Sequence, residues 1–258
     1  HNSFQSYSNV CTHRGNLLIK NPGNYSQIQC GYHGRRFDLS GNFLHMPSTE
    51  GMLNFPCADD NLMKISTQKI GNLIFNSLNP IFDLNEIVNN ISSKIQDYKL
   101  SDLNFREEYS KDYLVQANWA LYCDNYLEGF HIPFIHPGLN QEIDAHKYEI
   151  ITGDYHVLQT AYAKKGGISF NNSNGVAAYY LWVFPNLMFN FYPWGLSLNL
   201  IKPIKPDLTK VSFRTYIAHE NLYGLGAGSD LDKVEREDQN IVEQVQKGIQ
   251  SRFYKQGR

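Results

Sequence analysis

Cys11-Thr12-His13, then sixteen intervening residues, then Cys30-Gly31-Tyr32-His33: these two short runs decide how the rest of the chain is read. Each pairs a thiol with an imidazole among turn-forming residues, and Gly15, Gly31 and Gly34 supply the backbone freedom such loop tips need. Together they offer two thiolates and two imidazoles to one metal centre. A [2Fe–2S] cluster with Cys on one iron and His on the other uses that set, and its neutral imidazoles raise the reduction potential above that of an all-Cys cluster. Zinc and a disulfide are the competing readings. Zinc sites usually pair Cys with Cys and His with His, so the mixed order and the softness of the ligands favour the iron cluster. Cys57 and Cys123 are assigned no role beyond that of buried thiols.

Outward from these loops, residues 1–80 carry short β-like runs, Asn16–Lys20 and Gly71–Asn76 among them. Turn signals such as Asn21-Pro22-Gly23-Asn24 and Ser40-Gly41-Asn42 separate them, which suggests a small all-β domain. Residues 81–104 have helical spacing and read as a connecting helix. From 105 to 258 the pattern predicts a second domain: β-type runs between 147 and 219, then a helix over Asp230–Phe253 in which Val234, Ile241, Val242, Val245 and Ile249 recur at helical spacing. An antiparallel sheet gripping that terminal helix, within an α+β chain, fits this order.

The second domain holds another ligand-type constellation. Trp119, Tyr122, Tyr126 and Phe130 recur every three or four residues, so 118–136 reads as helical. His131 and His136 are five apart, a spacing that a straight helix places on different faces. Pro133 is expected to end the helix after His131 and let His136 fold back. A mononuclear Fe(II) that activates O₂ uses two imidazoles and one carboxylate on one face, leaving the other open. Asp238 in the last helix can supply the carboxylate, with Glu237 its nearest rival.

Bulk properties limit the alternatives. The chain has 258 residues, 42% of them hydrophobic and 19% charged, with a net charge of −2. That excludes a basic field for nucleic acid. No apolar run is long enough to span a bilayer and no signal peptide is visible, so a cytoplasmic location is the default expectation. The start at His1 rather than Met, and the stop soon after a helical pattern, read as a fragment trimmed at both ends.

The run Cys30-Gly31-Tyr32-His33-Gly34-Arg35-Arg36-Phe37, with the Cys-x-His ahead of it, resembles a Rieske domain. Asn118-Trp119 followed by Glu128, His131 and His136 resembles the catalytic domain of Rieske ring-hydroxylating oxygenase alpha subunits. The likeness spans Cys11 to about Arg252 and implies an N-terminally truncated Rieske domain followed by a helix-grip catalytic domain. It further implies Cys11, His13, Cys30 and His33 as cluster ligands, and His131, His136 and Asp238 as ligands of a mononuclear Fe(II). Glu128 and Asn125 are implied as catalytic residues, Glu128 bridging the iron site to the cluster of a neighbouring subunit. O₂ as co-substrate, NAD(P)H electrons delivered by a flavin/iron–sulfur reductase or ferredoxin, and a homotrimer also follow from the resemblance.

The aromatic stretch Tyr179–Gly195 suggests the substrate pocket. On strand alternation Trp182 and Phe184 share a face, as do Phe189, Phe191 and, after a bend, Tyr192. Such rings stack on a flat arene or hold a quaternary ammonium by cation–π attraction. Glu128, together with the run Pro185–Gly195, resembles the choline and carnitine monooxygenase branch, which implies a quaternary ammonium substrate. The alternatives are an aromatic-ring dioxygenase or O-demethylase on the same scaffold, a non-catalytic Rieske electron carrier, and a ligand-binding module.

Overall fold

The computed structural model describes residues 4–171 and 173–257. Its first unit, His1–Asn85, is built from six short strands: β1 (Ser6–Tyr7), β2 (Ile28–Gln29), β3 (Arg36–Phe37), β4 (Phe43–His45), β5 (Lys64–Ile70) and β6 (Leu73–Ser77). They form two antiparallel sheets, β1-β5-β6 and β2-β3-β4. Gly71 and Asn72 turn β5 into β6, and Gly71 adopts the left-handed φ of 57° that a two-residue hairpin turn requires. The expected strand at Asn16–Lys20 is reduced to one isolated bridge, Val10↔Leu17, because loop contacts take its other hydrogen bonds. Phe37 is fully buried and forms the core of this unit with Cys11, Leu18, Cys30 and Leu62. Cys57 is exposed, contrary to the expectation of a buried thiol.

The second unit, Glu86–Arg258, holds a seven-stranded antiparallel sheet in the order β7-β13-β12-β11-β10-β9-β8. Its strands are β7 (Asn104–Val115), β8 (Glu149–Thr152), β9 (His156–Tyr162), β10 (Val176–Val183), β11 (Leu187–Tyr192), β12 (Gly195–Lys205) and β13 (Leu208–Ile217). Helix α1 (Leu84–Ser92) spans the division between the units. Three helices, α2 (Trp119–Tyr126), α3 (Ile132–Ile135) and α4 (Leu139–Glu142), lie between β7 and β8, and α5 (Leu231–Gly248) ends the fold.

Two helix boundaries differ from the sequence reading. Helix α2 stops at Tyr126, leaving Phe130 outside it and 79% exposed. Pro133 therefore does not end a long helix; it occupies the first turn of the separate helix α3, where its missing N–H costs no hydrogen bond. Helix α5 ends at Gly248 rather than Phe253.

Two local devices seat α2 and α5 together. Asn118 caps α2 by accepting from the Ala120 N–H at 2.9 Å. Its own N–H donates to Gln246 of α5 at 2.8 Å, and the Gln116 N–H donates to Glu243 at 2.9 Å. At the other end of α5, Asp230 caps by accepting from the Lys233 N–H, and Asp232 takes hydrogen bonds from Lys111 (2.6 Å) and Tyr113 (2.8 Å) on β7. Among the described residues no helix is long and apolar enough to cross a membrane.

The Lys111 ammonium beside Asp232 holds its carboxyl at about 2. A depressed carboxylate contributes stability above its unfolded value of about 3.9 and loses it as the pH falls through the folded value. Because Asp232 is 43% exposed, solvent screening limits the contribution to roughly 1 kcal/mol or less. Asp232→Asn is therefore expected to lower the unfolding free energy by that amount at neutral pH. The gap between variant and parent in urea titrations should close between pH 4 and pH 2.

Candidate metal centres

The two Cys/His loops of the first unit are built to the same plan. In each, the Cys N–H donates to the carbonyl five residues on: Cys11 to Asn16 and Cys30 to Arg35, both at 2.8 Å. In each, a glycine four residues on donates back to the Cys carbonyl, from Gly15 at 2.9 Å and Gly34 at 3.1 Å. Gly15 and Gly34 have φ of 71° and 70°, where a side chain is strained, whereas Gly31 does not adopt a left-handed conformation. The matched turns bring the His13 and His33 rings to 4.6 Å, edge to face.

Both cysteines are free and buried. Burial pushes the Cys11 thiol up. It acts in the same direction on Cys30, but N–H groups at Tyr32 and His33 outweigh it and leave that thiol below its usual value. The Tyr32 N–H lies 3.4 Å from the Cys30 Sγ, and the Asn16 amide nitrogen lies 3.6 Å from it. The His13 Nδ1 is buried without a hydrogen-bond partner. A ligand atom withheld from both solvent and protein, next to two free thiols, fits a [2Fe–2S] cluster held by two Cys and two His.

In the second unit, His131, His136 and Asp238 place one ligand atom each within 4.8 Å of one another. The single turn of α3 does this for the histidines: the His136 N–H bonds back to the Ile132 carbonyl at 3.0 Å, reversing the chain after His131. Helix α5 then delivers Asp238, whose Oδ1 lies 3.0 Å from the His136 Nε2 and 3.7 Å from the His131 Nε2. The opposite ring nitrogens are taken by other carboxylates, His131 Nδ1 by Glu128 at 2.5 Å and His136 Nδ1 by Glu237 at 2.8 Å. Glu237 thus meets the far edge of the His136 ring while Asp238 sits inside the triad. Asn125 donates to the Asp238 Oδ1 at 2.7 Å.

The electrostatics agree with this geometry. Burial disfavours a charged His136, yet the carboxylates of Asp238 and Glu237 outweigh it and raise its pKa. With each Nδ1 facing a carboxylate, the Nε2 atoms are the ones turned to the common point, which is how proteins orient imidazoles toward a metal. Two imidazoles and a carboxylate on one side of a point, with a cavity on the other, suit a mononuclear Fe(II) that keeps open positions.

The cavity beside this triad is lined by one cross-strand row of the sheet. Gln159, Tyr180, Asn190 and Ser197 are neighbours in register on β9, β10, β11 and β12, and all four face it. Of the five aromatic residues expected to line the pocket, only Tyr192 does so. Phe189 and Phe191 alternate to the other face of β11, fully buried and stacked on each other. Trp182 shares the face of Tyr180 but lies two residues farther along and packs into a core with Tyr122 and Met188. Phe184 is past the end of β10 and 42% exposed. The missed residues carried a signal of their own: Asn190, Ser197 and Asn199 are polar positions inside otherwise apolar strands, the last two spaced two apart on one face.

The cavity wall also includes Glu235, only 1% exposed. Burial pushes its carboxyl well above the usual range, opposed by a hydrogen bond from the Tyr122 hydroxyl to one oxygen.

The first unit thus offers a two-Cys, two-His donor set and the second a two-His, one-carboxylate set, each suited to iron. Comparison with known proteins makes the class specific. Residues 101–258 match the ring hydroxylating alpha subunit (catalytic domain) family and residues 1–56 match the Rieske [2Fe–2S] domain, so the chain belongs to the ring-hydroxylating alpha-subunit family. It is 28% identical to the chloroplastic choline monooxygenase of Arabidopsis thaliana, over 99% of this chain and 64% of that protein. It is equally 28% identical to the carnitine monooxygenase oxygenase subunit of Escherichia coli (strain K12), over 99% of this chain and 71% of that one. The chain therefore spans just under two thirds of the Arabidopsis relative's length.

Solved structures agree on the fold. The quaternary ammonium Rieske monooxygenase CntA in complex with L-carnitine superposes with a TM-score of 0.71 at 23% identity, covering 97% of this chain and 69% of that one. Naphthalene 1,2-dioxygenase from Rhodococcus sp. gives 0.68 at 19% identity, covering 96% and 70%.

Replacing Glu237 by Gln keeps the size of the side chain but weakens its hold on the His136 ring. The variant is expected to bind Fe(II) about 10- to 100-fold more weakly, read by competition with a chelator. An unchanged iron affinity would show that Glu237 has no part in aiming that imidazole.

Proposed function

We propose that the chain is the oxygenase component of a Rieske-type iron oxygenase that hydroxylates a small quaternary ammonium compound with O₂. The observation that carries this reading is the convergence of both Nε2 atoms and Asp238, with each opposite Nδ1 held by a carboxylate. Bound Fe(II) supplies O₂ activation, and the [2Fe–2S] cluster supplies single electrons drawn from NAD(P)H by a separate reductase or ferredoxin.

The chain's own residues do the positioning. His131, His136 and Asp238 hold the metal, Asn125 fixes the carboxylate of Asp238, and Glu237 fixes the ring of His136. Glu128 fixes His131 and, as the side chain on the outer edge of that imidazole, links it to a cluster-ligand histidine of a neighbouring subunit in a trimer. Tyr126, Tyr180 and Tyr192 give the cavity electron-rich ring faces, which attract a quaternary ammonium. The relatives' names, choline and carnitine monooxygenase, support the same substrate class.

The test is substrate-dependent O₂ uptake by the full-length, iron-loaded protein with a reductase and NADH. The panel pairs choline, carnitine and glycine betaine with benzoate, a phenolic ether and a polycyclic arene. Uptake with a quaternary amine that is lost in His131→Ala is the expected result. Uptake with the arenes alone would assign the aromatic-ring reading instead. A reducible cluster without bound mononuclear iron or uptake would assign an electron carrier.

A further inference from the structure

Glu235 lines the cavity but takes no part in the candidate metal set. It stands one helical turn before Asp238 on α5, so both project to the same side of the helix. Tyr122 satisfies one of its carboxyl oxygens. The other, Oε1, is buried and has no hydrogen-bond partner. Both Tyr122 and Glu235 line the cavity. A buried carboxyl left half-unsatisfied costs free energy, and proteins retain such a group where a ligand completes it.

The surroundings say which kind of ligand. No lysine or arginine is among the described residues lining the cavity. The other acids there already have positive or proton-donating partners, Glu128 on His131 and Asp238 on Asn125 and the histidines. Tyr126, Tyr180 and Tyr192 line the same cavity, and the faces of tyrosine rings favour cations over anions. A quaternary ammonium has no N–H to donate, so shape and charge alone recognise it. Burial favours the neutral carboxyl while no cation is bound, and a fixed positive charge against it favours the carboxylate, which together with tyrosine rings supplies both.

From this arrangement we infer that Glu235 is the specificity-determining residue of the cavity, its unpartnered carboxyl oxygen facing the fixed positive charge of the substrate. The inference rests on the quaternary-ammonium reading above and narrows it to one side chain. It assigns Tyr122 a positioning role: its hydroxyl holds one oxygen so that the other stays turned to the ligand.

The experiment compares a cation with its uncharged carbon isostere, choline against 3,3-dimethyl-1-butanol, by calorimetric titration of the full-length, iron- and cluster-loaded protein. Parent protein is expected to prefer choline at least ten-fold. Glu235→Gln, nearly identical in shape, should lose most of that preference by weakening choline alone, with bound iron unchanged. Tyr122→Phe keeps the carboxyl but releases the oxygen that the hydroxyl holds, so a partial loss of the preference, smaller than in Glu235→Gln and with both ligands still bound, is expected. Equal loss for both ligands in Glu235→Gln, or an intact preference, overturns the inference. Parent protein that binds neither compound, or both equally, overturns it too and locates the failure in the substrate class. Oxygen uptake with quaternary amines that persists in Glu235→Gln at an unchanged KM overturns the inference while leaving the proposed function standing.

Discussion

A metal-binding imidazole is useful only while its ring cannot turn, and this fold ties both of its candidate rings from behind. Glu128 and Glu237 each occupy an Nδ1, which commits both Nε2 atoms to a common point. The two carboxylates come from different places. Glu128 is local, three residues before His131, and its second oxygen also takes N–H groups of Phe130 and His131, so it locks the loop as well as the ring. Glu237 is remote and arrives with α5. The site therefore exists only when α5 is seated, and the contacts from Gln246, Glu243 and Asp232 to α2 and β7 serve the metal as much as the core.

The same dependence explains why one helix carries acids at 235, 237 and 238. Successive residues of an α-helix are about 100° apart, so Glu237 and Asp238 diverge enough to straddle the His136 ring, one at each nitrogen. Glu235 and Asp238, three apart, return to nearly the same direction and meet the cavity together. In a water-filled setting three such carboxylates would repel one another and destabilise the helix. Here each has a distinct partner: Tyr122 for Glu235, His136 for Glu237, and Asn125 and His136 for Asp238.

Much of this was legible in the sequence, for a physical reason. Candidate ligand atoms and tight turns call for particular residue types at particular spacings, and Cys11/His13, Cys30/His33, His131 and His136 have that form. The antiparallel sheet and terminal helix were legible from periodicity. Glu237 against Asp238 was not decided by spacing, since either could face inward until the rotation of α5 was known. Helix ends failed where tertiary contacts rather than propensity set them: α2 stops at Tyr126 because the chain must turn to present Glu128 and His131. Pro133 was read as a stop signal when it is a start.

The pocket was the least legible part, and the error has a structural lesson. Aromatic bulk in Tyr179–Gly195 drew attention to Phe189 and Phe191, but a strand buried on both faces has rings on both sides, so bulk alone carries no direction. Polarity does. Asn190, Ser197 and Asn199 are buried polar side chains, and they need either hydrogen-bond partners or a cavity that holds polar groups. Asn190 accepts from Tyr126 and donates to the Ser197 carbonyl, while Ser197 donates to Asn199, so the row is tied together across three elements. That network fixes the sheet face behind the metal and holds Tyr126 against it. Its chemistry, neutral and self-satisfied, leaves Glu235 as the group in the wall with a carboxyl oxygen still unpartnered.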